Sequence, residues 1–221
     1  MKVRFLGHAC FRIEDKGKTI LTDPYLDENP LSPVKSNQVS ADYILVSHAH
    51  FDHLGEAVKI AKASRGLIIS TAEVATKCSN EGAKTHALHI GGKHAFDFGY
   101  VRLTPAFHGS GIPGGHACGF IVNFFGKRFY FAGDTGLFGD MRLLGEIEPL
   151  DLAILPIGDN FTMGPDDALR AVQMLNPKTV IPMHYNTWPL IQADPQAFKR
   201  EVESRTQSRV IVLEPGKEAE V

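Results

Sequence analysis

A chain of 221 residues with 43% apolar and 22% charged residues has material for a core and too little charge for wholesale disorder. The formal net charge of −2, with no dense Lys/Arg run, argues against nonspecific nucleic-acid binding. No apolar run approaches the ~20 residues of a membrane span; the start at Met1-Lys2-Val3-Arg4-Phe5-Leu6 has no apolar leader, and Cys10, Cys78 and Cys118 sit at no disulfide or metal spacing, so a cytoplasmic protein with reduced thiols is expected.

Val3–Phe5 and Cys10–Ile13 alternate like strands, and Asp15-Lys16-Gly17-Lys18 reads as a hairpin turn before a strand at Thr19–Thr22. Residues 27–40, with Pro30 and Pro33, read as a long loop of the kind that often lines a site. Tyr43–Val46 is a short buried strand, and Leu54, Ala57, Val58 and Ala61 predict a helix over residues 54–64. A strand at Leu67–Ser70 and a short helix at Ala72–Lys77 follow. Lys84 to Phe107 reads as strands with turns at Gly91-Gly92 and Phe98-Gly99. Phe120–Phe125 and Arg128–Ala132 flank a hairpin turn at Gly126-Lys127. Leu152–Leu155 and Thr179–Pro182 are buried strands around a helix opened by Gly164-Pro165 and running to Leu175. A last helix begins at Asp194-Pro195 and runs to about Ser204, before a strand at Arg209–Leu213. Alternating helices and strands, with hairpins in the first half, predict two packed sheets with helices outside: one four-layer α/β domain over residues 1–221.

The chemistry concentrates in Ser47-His48-Ala49-His50-Phe51-Asp52-His53, directly after the Tyr43–Val46 strand. Neutral imidazole and carboxylate suit zinc and related divalent ions, and ligands at a strand end are held rigidly while staying open to solvent. Two histidines two residues apart can turn toward one ion from extended backbone. Asp52 and His53 must point differently, which hints at a second ion roughly 3.5–4 Å away. The same order of apolar strand followed by ligand recurs where Leu103–Phe107 runs into His108, Phe129–Gly133 into Asp134 and Val180–Met183 into His184. Each is weak alone. With the first cluster they complete five His and two Asp.

That order, His-x-His-x-Asp-His followed by His108, Asp134 and His184, resembles the metallo-β-lactamase superfamily over nearly the whole chain. Leu6-Gly7-His8-Ala9-Cys10-Phe11, Thr22-Asp23-Pro24-Tyr25 and Gly158–Pro165 look closest to the metal-dependent hydrolases akin to L-ascorbate-6-phosphate lactonase. The resemblance implies an αββα sandwich with its site along one edge of the sheets. It implies His48, His50 and His108 on one ion, Asp52, His53 and His184 on another, and Asp134 bridging them. Zinc is the default metal; manganese, iron and nickel fit the same ligands.

The expected activity is hydrolysis of a small ester, lactone or phosphoester by metal-activated hydroxide. Asp52 is a candidate for orienting the nucleophile or taking a proton, His8 for hydrogen bonding Asp52 or Asp134, and His116 for protonating a leaving group from its Gly-rich loop. Tyr185 and Asn186, beside His184, and Asn160 and Thr162, in the loop after Leu152–Leu155, are candidate substrate contacts. His86, His89 and His94 read as surface or structural residues, and Trp188 as packing against the last helix. The competing functions are a ribonuclease Z-like phosphodiesterase, a glyoxalase II-like thioesterase and a non-catalytic metal-binding protein. The acidic balance and the missing tRNA-gripping arm stand against the first, the short C-terminal part against the second, and the open, Cys-free ligand set against the third. A small-molecule substrate is expected, with no membrane and with nucleic acid disfavoured. A homo-oligomer would fit by analogy.

Overall fold

The computed structural model describes residues 1–221 and contains two seven-stranded sheets. The first is built from β1 (Lys2–Phe5), β2 (Phe11–Asp15), β3 (Lys18–Thr22), β4 (Tyr43–Leu45), β5 (Leu67–Thr71) and β6 (Lys84–Leu88) in that spatial order, with β14 (Glu218–Glu220) outside β1. The second runs β13 (Arg209–Val210), β12 (Thr179–Met183), β11 (Leu152–Pro156), β10 (Lys127–Phe131), β9 (Cys118–Phe124), β8 (Gly99–Pro105), β7 (Lys93–Phe96). In each sheet four strands are joined by parallel pairings, β3 to β6 and β10 to β13, and the remaining pairings are antiparallel.

Strand periodicity of two distributes the apolar side chains between two cores. From β3, β4 and β5, Ile20, Leu45 and Ile69 enter the larger core between the sheets. Their neighbours Leu21, Ile44 and Ile68 enter a smaller one on the opposite face. That smaller core is closed by α2 (Ala57–Ser64) and α3 (Ala72–Asn80), through Ile60, Ala61, Val74 and Cys78. Outside the second sheet lie α4 (Met141–Ile147), α5 (Pro165–Leu175) and α6 (Pro195–Arg205). Their inward residues Met141, Leu169, Val172, Phe198 and Val202 extend the larger core. The order is helix, sheet, sheet, helix, as expected. Phe120, Phe124, Phe129 and Phe131 are fully buried, each contributing about 2–3 kcal/mol by the area it removes from water.

Several boundaries differ from the sequence reading. The helix expected over 54–64 is two pieces, because α1 (Phe51–Leu54) begins inside the His motif and Gly55 breaks it with φ +40°. The strand expected at Arg209–Leu213 shortens to two residues, and the chain end folds back as β14 against β1. Helix α4 went unread because Gly145 interrupts its pattern; there an added Cβ would lie 2.4 Å from the Leu175 carbonyl oxygen, so the glycine lets α4 close on α5. No helix is long and apolar enough to cross a membrane.

Candidate metal centre

The loops after β4, β8, β10 and β12 meet at one end of the two sheets and deliver the predicted ligand types to one place. Nε2 of His48 lies 3.0 Å from Nδ1 of His50, and Nε2 of His108 lies 3.3 Å from that same atom. These three form one group able to hold an ion. A second group comprises Asp52, His53 and His184, joined by His8. Asp134 stands between them: its Oδ2 is 3.1 Å from His184 Nε2, 3.3 Å from His53 Nε2 and 3.6 Å from His108 Nε2. Gly133, at φ +58°, permits this approach, since a Cβ there would sit 2.7 Å from Cβ of Ser47.

The orientation of these rings is set by residues behind them. Asp23, fully buried at the end of β3, accepts hydrogen bonds from the Ser47 N–H (2.7 Å) and the Ser47 hydroxyl (2.6 Å). It also accepts from Nδ1–H of His53 at 2.7 Å. Because Ser47 Oγ spends its proton on Asp23, it accepts from Nδ1–H of His48 at 2.9 Å. One carboxylate thereby fixes the tautomers of two histidines and turns both Nε2 atoms toward the centre, as partners behind metal-bound imidazoles do. In sequence Asp23 stands only within the Thr22–Tyr25 likeness, and its lone Asp-Pro context carries no signal of this role.

His8 occupies a left-handed turn at φ +59°. Burial lowers its pKa to about 4, so the ring is neutral, and its Nε2–H donates to Asp52 Oδ2 at 3.0 Å. Its Nδ1 then accepts from the hydroxyl of Thr187 at 2.8 Å, a partner the sequence did not single out. The expected His8–Asp52 contact is therefore present.

Burial drives His48 down to about 2, leaving its ring neutral. Burial also opposes charge on Asp52, yet the neighbouring His184, His53 and His8 outweigh it and hold the carboxyl below its usual range. For Asp134, burial is likewise overcome, by His53 and His184. Conversely, the neighbouring carboxylates overcome burial to raise His184 to about 9 and His53 well above its ordinary value. His53 Nε2, His184 Nε2 and Asp134 Oδ1 are buried with no hydrogen-bond partner. Burying such atoms unsatisfied costs about 1–3 kcal/mol each. Their convergence on imidazole and carboxylate donors, with no thiolate, is the donor set that divalent ions of the zinc type satisfy.

Five sequence candidates fall elsewhere. His116 is exposed and lines a separate hollow with Thr71, Glu73, His89 and Ile90. Tyr185 packs against the larger core, where burial raises its phenol to about 12. Asn186 closes its own loop, exchanging two hydrogen bonds with the Ala193 backbone. The Thr162 hydroxyl donates to the Met163 carbonyl, Asn160 is exposed with its backbone N–H donating to Asp159 Oδ1, and the residue their loop turns toward the centre is Phe161. Trp188 does not pack on the last helix; its ring lies 4.9 Å from His8 and 6.0 Å from Phe51. The rings of His86 and His94, on the edge strands β6 and β7, lie 4.1 Å apart and tilted at 37°, consistent with a structural role.

A family model described as a beta-lactamase superfamily domain matches residues 2–184. The chain is 53% identical to a UPF0173 metal-dependent hydrolase of Natranaerobius thermophilus and 55% identical to one of Pelotomaculum thermopropionicum, in both cases over the full length of each protein. Among solved structures, Igni18, a metallo hydrolase of Ignicoccus hospitalis, superposes with a TM-score of 0.93 at 37% identity, covering 99% of this chain and 97% of that one. The fold, the converging His/Asp cluster and these relatives together show that the chain belongs to the metallo-β-lactamase superfamily, among its metal-dependent hydrolases.

Proposed function

We propose that two divalent ions, zinc by default, bind at this centre and that the enzyme hydrolyses a small ester, lactone or phosphoester. His48, His50 and His108 would hold one ion, Asp52, His53 and His184 the other, with Asp134 shared. The observation that carries this reading is the position of Asp134: one oxygen lies within 3.6 Å of histidines from both groups, and the other is buried and unpartnered. When bound, such ions supply Lewis acidity, lowering the pKa of water from 15.7 toward about 7 and polarising the substrate oxygen.

The chain's own residues do the positioning. Asp23 and Ser47 lock the His48 and His53 rings, so little reorganisation remains at the moment of reaction. Asp52, held on one side by His8, faces the pocket and is placed to orient the attacking water or take its proton. The likeness to L-ascorbate-6-phosphate lactonase keeps lactones among the candidate substrates. No Lys or Arg lines the pocket, which counts against a nuclease.

Metal analysis after reconstitution should give two ions per chain, and Asp134→Ala should lower that number and abolish hydrolysis of a chromogenic ester while circular dichroism stays native. One ion or fewer in the reconstituted wild type would overturn the two-metal assignment. Two ions without turnover of any ester, lactone or phosphoester would overturn the activity.

A further inference from the structure

The pocket above the cluster has a volume of about 330 Å³, and its walls and floor differ sharply. The floor is polar: Asp52, His108, Asp134 and His184. Every remaining lining residue is apolar or aromatic, namely Phe51, Phe161, Trp188 and Leu190. Three of these are among the most solvent-exposed large apolar side chains of the protein, with Phe51 and Leu190 66% and Phe161 50% exposed. Exposed apolar groups converging on one concavity mark a binding surface, whereas scattered ones do not.

The backbone holds these groups in place. Asp159 and Asn160 are consecutive residues at positive φ, +59° and +49°, immediately before Phe161. Met163 N–H donates to the carbonyl of Thr135 at 2.9 Å, tying that loop to the residue after Asp134. On the other wall, Pro189 opens a 3-10 turn over Pro189–Ile191 that carries Leu190, anchored by fully buried Ile191. Trp188 rests on His8 and Tyr25. A dianionic phosphate would find no cation among the walls, and a polyol only the indole N–H of Trp188 above the floor.

We infer that the substrate is an uncharged lactone or ester bearing an alkyl or aryl group, whose apolar part is gripped by Phe51, Phe161, Trp188 and Leu190 while its carbonyl reaches the polar floor. This rests on the hydrolase reading above and narrows it: apolar lactones and esters are favoured over phosphomonoesters, and chain length sets affinity. Atoms balance as in any ester hydrolysis: water adds to the carbonyl carbon, the bond from that carbon to the ring or alkoxy oxygen breaks, and the proton passes to the leaving oxygen.

Trp188 is the sole tryptophan, so its fluorescence reports occupancy directly, whether or not turnover occurs. The metal-reconstituted full-length protein is titrated with γ-lactones carrying alkyl substituents from methyl to hexyl, and with phenyl phosphate. Kd is expected to fall about fourfold per added methylene until the pocket is full, with phenyl phosphate binding more weakly than the longer lactones. Phe161→Ala and Leu190→Ala should each flatten that dependence without changing metal content or melting temperature. A wild-type Kd independent of chain length, or tightest binding of phenyl phosphate, would overturn the inference. Binding that follows chain length without hydrolysis would support the inference and count against the hydrolase reading alone.

Discussion

The side chains that prepare this centre are as instructive as those that face it. Asp23 is buried and shared between Ser47 and His53, so its charge orients two imidazoles through one carboxylate. Asp23→Asn keeps the shape but loses the charge and one acceptor oxygen. Metal affinity, measured by competition with a chromophoric chelator, is expected to fall about 10–100-fold, as for other partners behind metal-bound histidines; an unchanged affinity would show that Asp23 only fills space. The seven proposed ligands were legible because four of them fall within six residues and the other three each follow an apolar strand. Asp23, Ser47 and Thr187 were not, since Asp, Ser and Thr beside strand ends are common in every fold and their partners are chosen in space.

The short elements carrying these residues depend on close backbone contacts. Gly55 ends α1 at φ +40°, and a Cβ there would lie 2.3 Å from the Pro24 carbonyl oxygen. Gly55→Ala should therefore cost about 2–3 kcal/mol of stability, read from the denaturant midpoint. It should weaken metal binding too, because Pro24 adjoins Asp23 and α1 carries Asp52 and His53. A neutral result would mean that the loop yields freely. The long loop over 27–40, expected from sequence to line the site, is pinned by Asp27. Its carboxylate accepts from Ser36 N–H and Ser36 hydroxyl, both at 2.8 Å, and from Lys59 at 2.9 Å. Those bonds, led by the Ser36 N–H, pull its pKa down to about 2, below the unfolded value near 3.9. A carboxylate depressed on folding stabilises above its unfolded pKa and ceases to as pH falls through the folded one. The difference in melting temperature between wild type and Asp27→Asn is accordingly expected in full at pH 5 and to vanish near pH 2. Persistence of the difference at pH 2 would show that it does not arise from the charge.

Across the molecule, the proposed ligands come from both sheets: His48, His50, Asp52 and His53 follow β4 of the first, while His108, Asp134 and His184 follow β8, β10 and β12 of the second. Bound ions would then cross-link the two sheets at one end of the larger core. A ligand at 1,000 times its Kd adds about 4 kcal/mol, and about 2–4 °C accompanies each kcal/mol in a domain of this size. Chelator treatment should lower the melting temperature by roughly 8–16 °C, reversibly on adding metal back; no shift would mean that the ions, if bound, do not bridge the sheets.

Period-two alternation in β1 to β5 and strand-to-ligand junctions are local patterns, and from them the layered fold and the reactive centre could be read in one dimension. The pocket that would select a substrate could not. Its walls come from Phe51, Phe161, Trp188 and Leu190, segments more than a hundred residues apart at their extremes, and in sequence each looks like an ordinary core residue. Even the loops correctly suspected of lining the cleft yielded the wrong members. Thr162 and Asn186 spend their side-chain polar atoms on nearby backbone and Asn160 stays exposed outside the pocket, leaving apolar neighbours to face the cavity. Hydrogen bonding within a loop and the side of it that meets solvent are settled by chain folding, so the chemistry at the floor is written locally and the selectivity of the walls is a property of the assembled molecule.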